Sequence, residues 1–347
     1  MDEFARISFW TNEGQAPDLL EARGVRLAIG DDAAIVSATD KADRNEAYEW
    51  LYTVDTMVEE IHFKSETMSL EAIGYKALAS NISDIAAMGG IPMHAVVAIS
   101  IPSRYSPQQI KQIYDGIYQC ANQYGVAIVG GDTTSSPHSL VLTITVIGKV
   151  EAGTAIRRSG AKPGDVLFVT GIAGKSAAGL HLLLNAQQGQ HLAQYHLEML
   201  KQAHQAPQPH VAQGRLLHDL GSCHALNDVS DGLASEAAEI AAASAVDIVI
   251  DEQLLPISES LSQYSACAQQ STLEWILYGG EDYILIGSMP TEHFAKAKAA
   301  FSEQGMELYE IGRVEQGQGE VWLEALDAKL ERKQRTCLSK RGYNHFI

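Results

Sequence analysis

The sequence predicts a mixed α and β protein of two domains, and three observations carry that expectation. Short apolar runs of strand length alternate with stretches of helical spacing along the chain. The 347 residues are about twice a usual domain length. A glycine-rich, basic segment at 151–165, EAGTAIRRSGAKPGD, separates two such units. The boundary is therefore placed near residue 150, giving domains 1–150 and 151–347.

Taken in order, the first 28 residues read as a short helix and a polar loop, and IGDDAAIV at 29–36 as a turn opening onto a strand. A polar loop at 39–49 leads to WLYTVDTMV, 50–58, a β-rich run interrupted by Asp55. The stretch 74–90, GYKALASNISDIAAMGG, is the most informative in the chain. On a helix, Leu78, Ile82 and Ile85 form one apolar stripe, and Ile73, Ala77 and Met88 cover another side. Gly89, Gly90 and Pro92 supply a stop signal. Such a helix is largely buried, and its polar remainder is a narrow strip of Lys76, Ser80, Ser83 and Asp84. Burying an unpaired carboxylate costs several kcal/mol, so Asp84 needs a cation, a cluster of donors or a metal. A salt bridge or cap is the simpler alternative.

A buried strand at 94–102 follows, then a helix at 106–124 with Pro107 in its first turn. An apolar run ending in glycines and an aspartate at 126–136 and a strand at 139–150 complete a first unit of four or five strands and two helices. The second unit reads as a strand at 166–170, a glycine loop, helices at 176–185 and 211–220, and a turn, NDVSDG, at 227–232. A helix at 233–243, a strand at 246–250 and a helix near Leu273 come next. YGGEDYILIG at 278–287, a helix to Gln304 and two closing strands end the chain. It shows no internal repeat and no low-complexity tract.

Composition narrows the function. Acidic residues outnumber basic ones 43 to 25, for a formal charge of −18, which excludes a broad surface for nucleic-acid backbones. The start, MDEFARISFW, carries no basic segment followed by an apolar run, and no window approaches ~18 uninterrupted apolar residues. A cytoplasmic protein without membrane contact is expected. Cys120, Cys223, Cys267 and Cys337 stand far apart, so neither a zinc site nor a disulfide framework is signalled. Buried or inert thiols are expected.

Asp32, Asp55, Asp84, Asp132, Asp228 and Asp231 mostly lie at the end of an apolar run or beside glycine. Hard cations such as Mg²⁺ take carboxylate oxygens together with water and substrate phosphate, and several strand ends could supply them. Each ionised pair at ~4 Å repels by roughly 4 kcal/mol at an effective dielectric of 20, so these acids either converge on cations or stand apart as caps and Asx turns. GIAGKSAAG at 171–179 fails as a Walker A loop because Val169 stands where glycine is required. It reads as a strand-to-helix turn whose helix N-terminus could receive an anion. GGDTT at 130–134 suits either close phosphate approach or a plain turn, and Arg157 and Arg158 suit either a phosphate or a salt bridge. His62 and Tyr343 stand alone, and Glu281 and Asp282 repeat the glycine-then-acid pattern, for which a cap is the simpler reading. No nucleophile lies beside a histidine and an acid.

Set side by side, IGDDAA, VDT followed by HF, YKALASNISDIAAMG, GGDTT, RSGAKPGD, VTG with SAAGL, DVSDGL, GGEDY and the terminal GYNHF span nearly the whole chain. In these stretches and their order it resembles the thiamine-monophosphate kinases of the aminoimidazole ribonucleotide synthetase-like superfamily. The resemblance implies transfer of the ATP γ-phosphoryl group onto thiamine monophosphate, with several Mg²⁺ ions between the two anions. It implies an α/β N-terminal domain whose sheet pairs across a homodimer to form a barrel, and an α+β C-terminal domain packed against it. At matching positions it makes Asp32, Asp55, Asp84, Asp132, Asp228 and Asp231 metal-associated, with Thr53 and Val54 beside them. Gly131, Asp132, Arg158 and Ser230 fall on nucleotide positions, with Tyr114 a further candidate, and His62, Glu281 and Tyr343 on substrate positions. Val54 stands where threonine is common, so it would reach a metal only through its carbonyl. Asn344 replaces a frequent aspartate. No general base is expected, because the acceptor phosphate is already ionised at pH 7.

Related readings fit less well. Selenophosphate synthetases typically carry an N-terminal reactive cysteine or selenocysteine, whereas the first cysteine here is Cys120. The hydrogenase-maturation relative ends in cysteine, and this chain ends in Ile347. The terminal RGYNHF and the HF after VDT favour the thiamine kinases over the purine enzyme. A nucleotide-binding scaffold without turnover would not need all six aspartates.

Overall fold

The computed structural model describes residues 25–27, 31–37, 48–327 and 332–338. Two sheets divide the chain. The first is built from β1 (Val25–Leu27), β2 (Ala34–Ser37), β3 (Tyr48–Val58), β4 (Ile91–Pro102), β5 (Ala127–Ser136) and β6 (Val141–Glu151), in the order β1-β2-β3-β6-β4-β5. Helices α1 (Leu70–Ala87) and α2 (Pro107–Tyr124) belong to the same half. β3 and β6 pair antiparallel along their whole length, while β4 and β5 pair parallel across the α2 crossover. β6 alternates buried and half-buried residues throughout, the signature of a sheet with one covered face.

The second sheet has the order β13-β12-β9-β11-β7-β10-β8. Its strands are β7 (Asp165–Val169), β8 (Ala225–Asp228), β9 (Val246–Asp251), β10 (Leu285–Pro290), β11 (Tyr309–Gln316), β12 (Val321–Asp327) and β13 (Arg332–Cys337). Its helices are α3 (Lys175–Leu184), α4 (Gln194–Gln205), α5 (Val211–Leu220), α6 (Leu233–Ser244), α7 (Glu259–Ala268), α8 (Thr272–Tyr278) and α9 (Thr291–Glu303). β7 is buried on both faces. Leu167 and Val169 enter a core shared with α6, and Val166 and Phe168 enter another shared with α9 through Phe294 and Phe301. Among the described residues no helix is long and apolar enough to cross a membrane.

α1 lies between the two halves. Ser69 caps its N-terminus by accepting from the Ala72 amide at 3.2 Å, and fourteen of its residues are buried. Two glycines let it sit hard against α2: a Cβ at Gly74 would stand 1.9 Å from the Ile113 carbonyl oxygen, and one at Gly116 1.9 Å from that of Glu71. On another side, Ala86 and Ala87 join the core that contains Phe168 and Phe294. Its azimuth is thus set by packing on both sides, which turns the strip of Lys76, Ser80, Ser83 and Asp84 toward the junction of the halves.

Several elements differ from expectation. α1 starts at Leu70, one turn before Gly74, because Ser69 provides the cap. Asp55 does not interrupt β3. The pairing with β2 reaches only to Tyr52, and beyond it the Asn81 Oδ1 accepts the Asp55 amide at 3.0 Å, so the backbone stays satisfied on the side away from β6 without a second strand. The stretch 225–228 is strand β8, buried at every residue, because it is the edge partner of β10. Helices α4 and α7 were not foreseen, and three strands close the chain instead of two, since β13 folds back on β12. Cys120 is buried and Cys223 half-buried, whereas Cys267 and Cys337 are exposed free thiols.

Candidate active site between the two sheets

Carboxylate oxygens of Asp32, Asp84 and Asp228 lie within 4.8 Å of one another. Each arrives differently: Asp32 from the turn before β2, Asp84 from the last turn of α1, and Asp228 from the end of β8. Ser83 binds the two halves at this point, its hydroxyl donating to Asp228 Oδ2 at 2.7 Å. Thr53 on β3 donates its hydroxyl to Asp84.

One guanidinium answers these charges. Arg158 pairs with Asp32, donates through Nε to Asn227 Oδ1 at 3.1 Å, and donates its backbone amide to Asp31 Oδ2 at 3.2 Å. Asn227 in turn donates to Glu236 Oε2 at 2.7 Å, and Glu236 Oε1 accepts the Asp231 amide at 3.0 Å. Glu236, on α6, therefore holds both the Arg158 network and the loop after β8. Asp31, Asn81, Asn227 and Glu236 were not singled out from sequence. Glu236 carried a signal: it is an acid on the buried face of α6, beside Leu233, Ala237 and Ile240, as Asp84 is on α1.

Burial dominates the electrostatics. It pushes the Asp32 carboxyl up to about 8 despite the opposing pull of Arg158, with Asp228 and Asp31 adding to the rise. Asp228 is pushed up to about 6, again first by burial, and Asp84 is raised well above the usual carboxylate range by burial and by Asp55, Asp228 and Asp32. Asp55 is raised by burial, and Glu236 well above its normal value by burial and the neighbouring Asp231 and Asp228. These acids are held close at a cost in folding free energy, a frequent mark of functional sites. Asp32 Oδ2 is buried with no hydrogen-bond partner. An orphaned carboxylate oxygen within reach of two further carboxylates is the donor set that a hard divalent cation requires, so the residues fit Mg²⁺.

The remaining expected residues separate. Asp132 stands exposed on the edge strand β5, apart from the three converging aspartates. Gly131 beside it is required by the sheet, since a Cβ there would stand 2.0 Å from the Val97 carbonyl oxygen. Asp231 is electrostatically coupled to Asp228 and Glu236 but lies outside the cluster of three. Val54 turns its side chain outward, 57% exposed, while Thr53 points in. Tyr114 packs on the first core with its ring 6.3 Å from that of Tyr118. His62 Nδ1 accepts the Val58 amide at 3.0 Å in the turn after β3. Ser230 donates to Glu236 at 3.4 Å, and its carbonyl accepts the Glu281 amide at 2.6 Å. Tyr343 and Asn344 lie outside the described residues.

The start of α3 has an anionic partner within the chain. Asp282 fills it, taking the Gly174 amide at 2.5 Å and the Ser176 amide at 3.0 Å. Gly174 itself has φ 86° and a Cβ position 2.9 Å from the Ile276 nitrogen, so the glycines of this loop serve its tight turn.

The chain matches the family model of the AIR synthase related protein, N-terminal domain, over residues 30–150, and that of the C-terminal domain over 162–323. It is 42% identical over 347 residues to the thiamine-monophosphate kinase of Bacillus subtilis, covering 100% of both chains. To that of Escherichia coli K12 it is 34% identical over 322 residues, covering 93% of this chain and 92% of the other. Among solved structures it is similar to AaThiL complexed with AMPPCP and TMP, with a TM-score of 0.80, 29% identity and coverage of 99% and 97%. Hydrogenase maturation protein HypE shares the fold at a TM-score of 0.65 and 20% identity, covering 88% and 92%.

Proposed function

We infer the function of this cleft from one premise: the chain belongs to the AIR synthase related family and, within it, to the thiamine-monophosphate kinases. It phosphorylates thiamine monophosphate at the expense of ATP, giving thiamine diphosphate and ADP. The observation that carries the assignment to this cleft is the meeting of Asp32, Asp84 and Asp228 beside Arg158 where the two sheets join.

Phosphoryl transfer asks little covalent work of a protein and much alignment and neutralisation of charge. An oxygen of the acceptor phosphate attacks the γ-phosphorus of ATP, the bond from that phosphorus to the bridging oxygen of ADP breaks, and no proton need be removed. Catalysis therefore needs no general base. Asp32, Asp84 and Asp228 would hold Mg²⁺, with Asp55 and Asp231 at the margins of the set. Bound there, the metal supplies positive charge against the phosphates of both substrates. The orphaned Asp32 Oδ2 supports this placement. Arg158, fixed by Asp32 and Asn227, is set to orient nucleotide phosphate, and Glu281 and His62 belong to the thiamine side.

A homodimer fits the first sheet. The face away from α1 carries Tyr52, 41% exposed, and Val54, and the edge strand β5 carries Val129, 59% exposed. An apolar, partly exposed sheet face beside a strand that is an edge among the described residues suits pairing with a second copy.

The test is to incubate purified protein with ATP, Mg²⁺ and thiamine monophosphate and separate the thiamine phosphates chromatographically. Thiamine diphosphate, equimolar with ADP and absent with Asp84→Asn, is expected. ATP binding without that product would refute the reading.

A further inference from the structure

Lys76 is a charged residue of the α1 polar strip that the aspartate cluster does not explain. Its side chain is fully buried, two helical turns before Asp84. Nζ lies 2.6 Å from Oε2 of Glu281, off the alignment of a regular hydrogen bond. The same Oε2 is 3.5 Å from His204 Nδ1 on α4, and His204 in turn meets the Ser176 hydroxyl at 3.2 Å. Elements from both halves thus converge on a single carboxylate oxygen. Glu281 itself remains 28% exposed, so part of its side chain stays open to solvent beside these buried partners.

The backbone at Glu281 is also constrained. Its φ is 65° and that of Tyr283 is 51°, left-handed values that non-glycine residues adopt only at an energetic cost. The conformation is held by the Glu281 amide on the Ser230 carbonyl and the Tyr283 amide on the Val229 carbonyl, which clasp the loop to the one after β8. Glu281 is thereby tied to the segment that delivers Asp228.

Stability alone does not account for this arrangement. A buried ion pair is often neutral or unfavourable beside an apolar pair of the same volume. Burial pulls the Lys76 amine below its ordinary value, and His204 down to about 2, so that its imidazole stays neutral. A lysine held under such conditions against a partly exposed carboxylate has a positional role to fill.

We propose that Lys76 is a positioning residue for the acceptor substrate: reaching from α1 across the junction, it holds Oε2 of Glu281 inward so that the rest of the carboxylate is presented to thiamine monophosphate. The inference rests on the reading that Glu281 lies on the thiamine side of the cleft. It extends that reading to α1, which carries Asp84 in its last turn and holds the Glu281 carboxylate with Lys76 two turns earlier. One rigid helix would then register the two substrates against each other.

Steady-state kinetics of Lys76→Met, Glu281→Gln and the double variant test it, with KM measured separately for each substrate. Lys76→Met and Glu281→Gln should each raise KM for thiamine monophosphate by about tenfold or more and leave KM for ATP within about twofold, and the double variant should be no worse than the poorer single. If Glu281→Gln leaves KM for thiamine monophosphate unchanged, the placement of the substrate at Glu281 falls and the proposal with it. If Glu281→Gln raises that KM but Lys76→Met does not, Lys76 alone loses its role. Equal rises in both KM values for Lys76→Met would mark a purely structural lysine and overturn the proposal. Should Lys76→Met fail to fold, Glu281→Asp withdraws the carboxylate from Nζ by one methylene and keeps its charge. An unchanged KM for thiamine monophosphate in that variant overturns the proposal as well.

Discussion

Replacing Asp84 with asparagine should make the metal-free protein more stable, by about 2–4 kcal/mol at pH 7. Oxygens of Asp32, Asp84 and Asp228 lie within 4.8 Å of one another. Each ionised pair at that separation repels by about 3.5 kcal/mol at an effective dielectric of 20, so full ionisation would set about 7 kcal/mol against Asp84. Protonation caps that figure. Keeping a carboxyl of ordinary value 3.8 neutral at pH 7 would cost about 4.4 kcal/mol, which bounds the penalty from above, and the upward direction at Asp84 agrees with a penalty of that sign. Asparagine retains an oxygen for the Thr53 hydroxyl, so little is lost in exchange. The pH dependence follows from the direction of the shift. Because the folded value is raised, the penalty is absent below 3.8, enters as pH rises through it, and is complete above the folded value. The advantage of the variant should thus vanish near pH 4 and grow toward neutrality in denaturation experiments with EDTA. Mg²⁺ should stabilise the wild-type protein and not the variant. An Asp84→Asn protein no more stable than wild type at pH 7 in EDTA would refute the reasoning.

Arg158→Ala leaves Asp32 buried without its cation, and should lower metal-free stability by about 3 kcal/mol and raise KM for ATP more than KM for thiamine monophosphate; thermal denaturation and kinetics read the two effects. Gly74→Ala drives a methyl to 1.9 Å from the Ile113 carbonyl, and should cost about 3 kcal/mol by pushing α1 from α2, measured as a fall in urea midpoint. His62→Ala should keep turnover at saturation and lose affinity for thiamine monophosphate; a loss confined to kcat would count against its substrate-side placement. Val54→Asp sets a charge on the outward face of β3, and light scattering should show a shift from dimer to monomer; a wild-type protein that is monomeric at micromolar concentration removes the dimer.

α1 shows how far the sequence reaches. Its apolar stripes and its polar strip could be read from spacing, because helical period alone decides which residues share a face. That a carboxylate on such a helix needs company also followed from the cost of burying it. β3 was harder: Asp55 looked like an interruption because local preference cannot anticipate Asn81 reaching from another element to take its amide. β8, a short strand ending in polar residues, reads as a turn until β10 lies beside it. The glycines before α3 read as a tight turn that left room for an anion at the helix start, and only the folded chain shows Asp282 already in that place.

By itself, then, the sequence determined the class of the fold, the burial of α1, the family and the residue types of the site, since these depend on periodicity, composition and the order of motifs. Tertiary structure decided which acids meet. Ser83 finds Asp228 across 145 residues and Arg158 finds Asp32 across 126, while Asp132, read from the same glycine-acid pattern, stays on an exposed edge. Spacing along a chain specifies a face of one element; convergence depends on how elements distant in sequence cross, and that is set by the packing of their glycines and cores.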